Sequence, residues 1–283
     1  NLGGPDSLDA VEPFLFNLFN DAAIIKAPQP FRWLLAKFIS WRRAPLAREI
    51  YSSIGGKSPL LNQTLSQAKA LEKKLEEMGT IRVFTCMRYW QPRSVEVARQ
   101  VGEYGPNEVV LLPLYPQFST TTSGSSIRDW KRAAKLVGLE GKTNIVCCYP
   151  VSEGLLEAQT RLIIDGIRRI EDSGKLRVLF SAHGLPKKII KRGDPYQWQV
   201  EKTVMAIATR IEERLQNKLD WRICYQSKVG PMEWIGPATD EEIMKAGKEK
   251  CSIVIVPVAF VSEHSETLVE LDIEYRDLAL RSG

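Results

Sequence analysis

Short apolar runs alternate with charged, amphipathic stretches along most of the chain. IRVFTC (81–86), EVVLLPLY (108–115), TNIVCCYP (143–150), LRVLFSAH (176–183), WRICYQS (221–227) and CSIVIVPVAF (251–260) are apolar nearly throughout. Such runs read as strands buried on both faces. Between them, NQTLSQAKALEKKLEEMG (62–79), SVEVARQVGEYG (94–105) and TVMAIATRIEERLQNK (203–218) repeat apolar positions at helical spacing. The alternation predicts an α/β fold with parallel sheets covered by helices. A faint repeat links VVLLPLYPQFSTTTSG (109–124) with IVIVPVAFVSEHSETL (253–268). Each is an apolar strand, a proline, an aromatic residue and a polar loop entering a helix. Two similar α/β domains with a cleft between them are therefore expected, residues 1–148 and 149–283.

The most apolar long segment, residues 9–43, reads as two short helices broken by APQP. Leu15, Leu18, Phe19, Ile24 and Ile25 within it suit a core helix, a greasy pocket or a surface lip. No apolar run reaches the roughly 20 residues that span a bilayer. The opening NLGGPD reads as the end of a strand entering a loop, so an upstream part of that strand is expected.

Composition narrows the class only slightly. Apolar residues make up 44%, charged residues 26%, and the net charge is +5. These values suit a soluble globular protein. Basic residues cluster only in short runs, Arg42-Arg43, Lys187-Lys188 and Lys191-Arg192. That argues against nucleic acid and fits a small anionic ligand or an anionic membrane surface. The five cysteines contain no CxxC pair and are read as reduced thiols, which favours the cytosol.

The candidate chemistry gathers around the chain's two histidines, His183 and His264. His183 ends an apolar strand and precedes Gly184 and Pro186, which turn the backbone and stop the strand. Ligands of parallel sheets collect at such strand ends. His264 opens a segment in which Glu266, Glu270 and Glu274 recur every four residues, with Glu263 and Asp272 close by. An α-helix stacks such residues about 6 Å apart, and a π-bulge would align them more closely. Like charges in a column repel unless a counter-charge is present. A metal site, a proton relay and a solvated acidic face all remain open from the residues alone. Arg42-Arg43, Tyr51 and GGKSP (55–59) suit carboxylate recognition. FSTTTSGSS (118–126), entering a helix, suits either an anion or an N-cap.

Together, NLGGP, IGGKSPL, YPQFSTTTSGSS, SAHGLP, RGDPY, YQSKVGPMEWIGP and SEHSETLVELDIEY resemble the ferrochelatase family, bacterial type, over nearly the whole chain. The resemblance implies two Rossmann-like, chelatase-type domains around a porphyrin cleft, and a lyase that inserts Fe²⁺ into protoporphyrin IX in haem synthesis. It implies His183 and Glu266 as the inner pair that binds iron or takes the pyrrole protons, with His264 beside them. Glu263, Glu270 and Glu274 would extend a path for protons or metal. Arg42, Arg43, Tyr51, Ser58, Arg88 and Tyr89 match the porphyrin-binding side. Leu2, Leu18, Phe19, Ile24 and Ile25 match the apolar pocket and lip, which in the family touch the membrane. Trp234 and Phe260 match pocket aromatics. Fe²⁺ enters as substrate, no tightly bound cofactor is expected, and no 2Fe–2S cluster is predicted. Family members usually continue into a further C-terminal helix, so a longer C-terminal tail is expected. Leu2 stands where coproporphyrin-preferring relatives carry Tyr, which favours protoporphyrin.

The chemistry asks for a base and a metal site that can let go. It leads to the expectation of one neutral His and one carboxylate on opposite faces of the ring, with an apolar wall gripping the ring and arginines holding its propionates. A cytoplasmic enzyme with peripheral membrane contact follows. Competing readings are a coproporphyrin ferrochelatase, another tetrapyrrole chelatase, or a haem- or metal-binding carrier without turnover. The sequence leaves the oligomeric state open.

Overall fold

The computed structural model describes residues 1–139, 141–170 and 174–283. The chain divides into two compact units. The first contains Asn1–Leu114, Thr120–Cys147 and Ser262–Ser265; the second contains Tyr115–Ser119, Cys148–Val261 and Glu266–Gly283.

In the first unit, β1 (Glu108–Leu111) and β2 (Lys142–Ile145) pair in parallel, with Glu108 opposite Lys142 and Leu111 opposite Ile145. Helices α4 (Ser94–Tyr104) and α5 (Ser123–Leu136) cover this sheet. Val97, Ala98 and Val101 of α4 meet Trp130 and Ala133 of α5, with Val109 and Leu111 of β1 packed against them. The run 81–86 carries no ladder, contrary to its strand-like composition. The Asn1 amine donates to the Cys86 carbonyl, and the backbone N–H groups of Arg88 and Tyr89 donate to the Asn1 and Leu2 carbonyls. The Val83 N–H donates to the Glu72 carboxylate at 2.7 Å.

The apolar N-terminal segment forms α1 (Val11–Phe19) and α2 (Phe31–Ser52), followed by α3 (Leu60–Leu75). Helix α2 inverts the usual rule. Its buried positions include the small residues Ala36, Ser40 and Ala44, while Phe31, Leu34, Phe38, Trp41 and Leu46 are each more than half exposed. A seam of small residues lets α1 approach closely. The large apolar side chains are left on the outer face, where a contiguous patch calls for a partner.

The second unit holds the larger sheet. β3 (Lys175–His183) lies between β4 (Trp221–Gln226) and β5 (Cys251–Pro257), all parallel. Alternate β3 side chains face opposite helical layers, as the period of two requires. Val178, Phe180 and Ala182 pack with the buried side chains of α6 (Glu153–Arg168) and α8 (Tyr196–Leu215). Leu179 packs with Ile243 of α9 (Thr239–Lys248) and with Leu278 and Ala279 of the C-terminal helix Arg276–Ser282. Residues 177 to 182 are all buried, as a central strand covered on both faces demands. The parity places His183 on the same side as Leu179 and Ser181. A one-turn helix, α7 (Lys187–Ile190), follows the strand. Between β5 and the C-terminal helix the chain forms a ten-residue π-helix, Glu266–Tyr275.

Candidate active site

The ends of β3 and β4 are in register, His183 opposite Gln226. The Gly184 N–H donates to the Gln226 carbonyl at 2.8 Å. Gly184 is required for closeness rather than for a sharp turn. Its φ lies outside the left-handed region, but a Cβ would sit 2.9 Å from the Gln226 oxygen and 3.4 Å from the Trp234 ring. Any larger residue would push the His183 strand end away from β4. Trp234 is held there by bridging to Pro186.

The π-helix brings its acids to this strand end. His183 Nδ1 lies 2.7 Å from Glu266 Oε2. The imidazole keeps 39% of its side chain exposed and Glu266 keeps 27%, so the pair is lodged in protein yet reachable. Loss of water around the imidazole disfavours its charge. The Glu266 charge, its hydrogen bond and the more distant Glu270 charge outweigh that loss and raise the His183 pKa above its ordinary value. The expected arrangement has a histidine and a carboxylate facing each other across a ring; here the two groups are in direct contact at 2.7 Å. A flat ring needs about 3.5 Å of van der Waals clearance on each face, roughly 7 Å in all. Two groups 2.7 Å apart leave no room for a ring between them.

Behind the pair, Glu270 accepts from the Ser227 N–H at 2.8 Å, from Gln226 Nε2 at 3.1 Å, from Tyr275 Oη at 3.1 Å and from the Ser227 hydroxyl. The Ser227 hydroxyl also reaches Glu266 Oε2 at 3.4 Å. The i→i+5 bonding of a π-helix widens the turn, and Glu266 and Glu270 both lie against Ser227 while Glu274 is exposed. Ser227 has φ 63°, which costs an L-residue roughly 1 kcal/mol. Gln226 is only 1% exposed, and its Oε1 accepts from Ser181 Oγ at 2.7 Å. Burial pushes the pKa of the nearby Cys224 thiol up to about 12. Among the described residues, no third His, Cys, Asp or Glu joins the pair in a cluster suited to a metal ion.

The remaining candidates fall as follows. Phe260 closes the turn after β5, its N–H donating to the Pro257 carbonyl. Glu263 and His264 belong to the first unit, where the Glu263 N–H donates to Gln63 Oε1 of α3 and Ser262 donates to Gln67. Leu2, Leu18 and Phe19 pack in one cluster with Tyr51 and Tyr89. The Arg43 guanidinium lies 5.6 Å from the Phe19 ring centre, and Arg42 is exposed. Ser58 is buried: its N–H donates to the Pro5 carbonyl, its hydroxyl accepts from the Leu60 N–H, and Gly4 approaches too closely to carry a Cβ. NLGGP and GGKSP are thus two halves of one interlocked turn.

Arg88 and Tyr89 converge on Asp21, which sequence reasoning passed over. Arg88 Nη2 and Tyr89 Oη donate to Asp21 Oδ2 at 2.8 and 2.7 Å, Ser125 adds its hydroxyl, and the Ala23 N–H donates to Oδ1 at 2.8 Å. Asp129 approaches Arg88 at 3.7 Å, so two carboxylates already share that guanidinium. Ile24 and Ile25 follow directly, both donating backbone N–H groups to the Asp21 carbonyl. An ionisable residue inside the most apolar segment was the available signal, because a buried charge is retained only with partners.

The family model described as Ferrochelatase matches residues 1–283. The chain is 51% identical over 286 residues to a ferrochelatase of Pelagibacter ubique (strain HTCC1062), covering 100% of this chain and 81% of that protein. It is 54% identical over 278 residues to a ferrochelatase of Wolbachia sp. subsp. Drosophila simulans (strain wRi), covering 98% and 87%. A Caulobacter vibrioides (strain NA1000 / CB15N) ferrochelatase is 52% identical over 286 residues, covering 100% and 80%.

The Asp21 cluster generates a test of stability. Burial raises the Asp21 pKa, but the Ala23, Ser125 and Tyr89 hydrogen bonds and the Arg88 charge outweigh it, and the net shift is downward. A depressed carboxylate stabilises the fold above its unfolded pKa of about 4 and loses that contribution as pH falls through the lower folded value. Asp21→Ala should therefore cost about 3 kcal/mol at pH 7, leaving Arg88 poorly matched. The gap from wild type should narrow below about pH 4. Urea unfolding at pH 7 and pH 3 checks this, and a gap independent of pH would contradict it.

Proposed function

The chain belongs to the ferrochelatase family, lyases that insert Fe²⁺ into a porphyrin in haem synthesis, and we propose that His183 and Glu266 carry out the insertion as one unit, acting from a single face of the ring. The observation that supports this most is the 2.7 Å contact between His183 Nδ1 and Glu266 Oε2 at the C-terminal end of the central strand. The substrate is proposed to be protoporphyrin IX. Two pyrrole N–H bonds break, bonds form from the ring nitrogens to iron, two protons leave, and the iron stays ferrous. A carboxylate hydrogen-bonded to an imidazole suits that task. It raises the basicity of the ring, stabilises the imidazolium after proton capture, and fixes the tautomer that presents the other nitrogen. Two protein donors suffice to hold Fe²⁺ briefly, whereas a closed set of four would retain it. Glu270 and Glu274 continue along the same helix, and His264 and Glu263 precede it.

The apolar cluster of Leu2, Leu18 and Phe19, with Tyr51, is proposed to grip the macrocycle, and Arg42 and Arg43 to hold its propionates. Arg88 is left out of the propionate set because Asp21 and Asp129 already match its charge. The exposed face of α2 carries Phe31, Leu34, Phe38 and Trp41 beside Lys37 and Arg42. Such a face suits a peripheral seat on an anionic membrane surface. Among the described residues no helix is long and apolar enough to cross a membrane. Five free thiols fit a reducing compartment, so the cytoplasmic leaflet is the proposed surface. The chemistry needs no resident cofactor.

Anaerobic turnover of protoporphyrin IX with Fe²⁺, followed by porphyrin absorbance, tests the proposal. His183→Ala should lose at least about 100-fold in turnover, the scale of a removed general base, while keeping the wild-type unfolding midpoint. Turnover like that of wild type in this variant would sink the assignment. Arg42→Leu/Arg43→Leu should raise the porphyrin KM and weaken binding to anionic vesicles. An unchanged KM would remove the propionate role, and faster turnover of coproporphyrin than of protoporphyrin would reverse the choice of substrate.

A further inference from the structure

Glu270 has its acceptor capacity filled. An ionised carboxylate offers about four lone-pair sites. Here the Ser227 N–H and the Tyr275 hydroxyl donate to Oε1, and Gln226 Nε2 and the Ser227 hydroxyl donate to Oε2. All but the Tyr275 bond come from the end of β4. Gln226 is itself braced from below, since its Oε1 accepts from Ser181, whose hydroxyl lies 2.9 Å from that of Thr239. Ser227 adopts the left-handed backbone, φ 63°, and in that conformation the N–H and the hydroxyl of one residue reach both oxygens of one carboxylate. Backbone strain of this kind persists where the surroundings over-determine it.

We propose that Ser227, braced by Gln226, is a positioning residue for metal insertion: through Glu270 it clamps the first turns of the π-helix and so sets Glu266 against His183. The inference rests on His183 and Glu266 being the reacting pair. It also recasts Glu270. A carboxylate already accepting four hydrogen bonds serves as an anchor, not as a stop on a path for protons or iron.

The test combines kinetics with a metal probe. Ser227→Ala should lower kcat about tenfold, the scale expected when a reacting group is loosened by a fraction of an ångström. The porphyrin KM should stay within about twofold, since no ring contact is removed. In a Glu270→Ala background the same change should add nothing, because it acts through Glu270. Ser227→Gly suits the left-handed backbone and keeps the N–H, yet lacks the hydroxyl, so it should lose turnover like Ser227→Ala even if the alanine variant folds poorly. Ser227→Asn, which tolerates that backbone and supplies a side-chain donor, should recover part of the rate. Co²⁺ added to the porphyrin-free protein reports the pair directly, and its His183-dependent visible absorbance should require more metal in Ser227→Ala than in wild type. If Ser227→Ala or Ser227→Gly matches wild type in kcat and Co²⁺ affinity while His183→Ala loses both, the positioning role is wrong and the site assignment stands. If wild type shows neither His183-dependent turnover nor His183-dependent Co²⁺ absorbance, the site assignment fails and this inference falls with it.

Discussion

The 2.7 Å contact between His183 and Glu266 is the constraint around which the second unit is arranged. It joins the end of a β-strand to the first residue of a π-helix, and each must be held independently for the contact to form. On the strand side, parallel register sets His183 opposite Gln226, and a glycine lets the two backbones approach to hydrogen-bonding distance. On the helix side, a wide turn is kept in place by donors from the end of β4. Beneath both lies a core in which Phe180 and Val178 on one face of β3, and Leu179 on the other, fix the strand between helical layers. Burial disfavours the charged imidazole, and the adjacent Glu266 carboxylate more than offsets it, so the His183 pKa lies above its ordinary value.

The first unit carries side chains of the kind the proposed porphyrin substrate calls for. A porphyrin is a flat apolar ring with a few acidic arms. Here a cluster of Leu, Phe and Tyr side chains lies beside arginines that are exposed or stacked on aromatics. Helix α2 places its small residues inward and its aromatic residues outward. That arrangement weakens the helix as a core element and strengthens it as a surface. Asp21 organises the loop between the first two helices by collecting Arg88, Tyr89 and Ser125. This is a structural use of residue types that, read in isolation, suit anion recognition.

Much of this was legible in the sequence. The alternation of apolar runs and amphipathic stretches marked β3, β4, β5 and the helices around them, because parallel strands buried on both faces must be apolar nearly throughout. His183 was identifiable because it closes such a run. What the pattern could not carry was pairing and direction. Residues 81–86 have strand composition, yet they carry no ladder. The apolar stretch 9–43 reads as two short helices, without saying that the second runs on to Ser52 or that small residues form its packed side. The direct contact of His183 with Glu266 was hidden because spacing along two distant segments says nothing about their approach. Ser227 and Gln226 lay inside a quoted motif, but their role depends on a single positive φ and a buried amide. Those features appear only once the backbone is folded.

The central claim is that His183 and Glu266 work as one unit, and a double-mutant cycle on turnover tests it most directly. His183→Ala, Glu266→Gln and the double variant would be assayed anaerobically with protoporphyrin IX and Fe²⁺. Residues that act as a unit are strongly non-additive, so the double variant should be no slower than the slower single variant, to within about twofold. Losses that multiply, with each residue contributing independently of the other, would contradict the account.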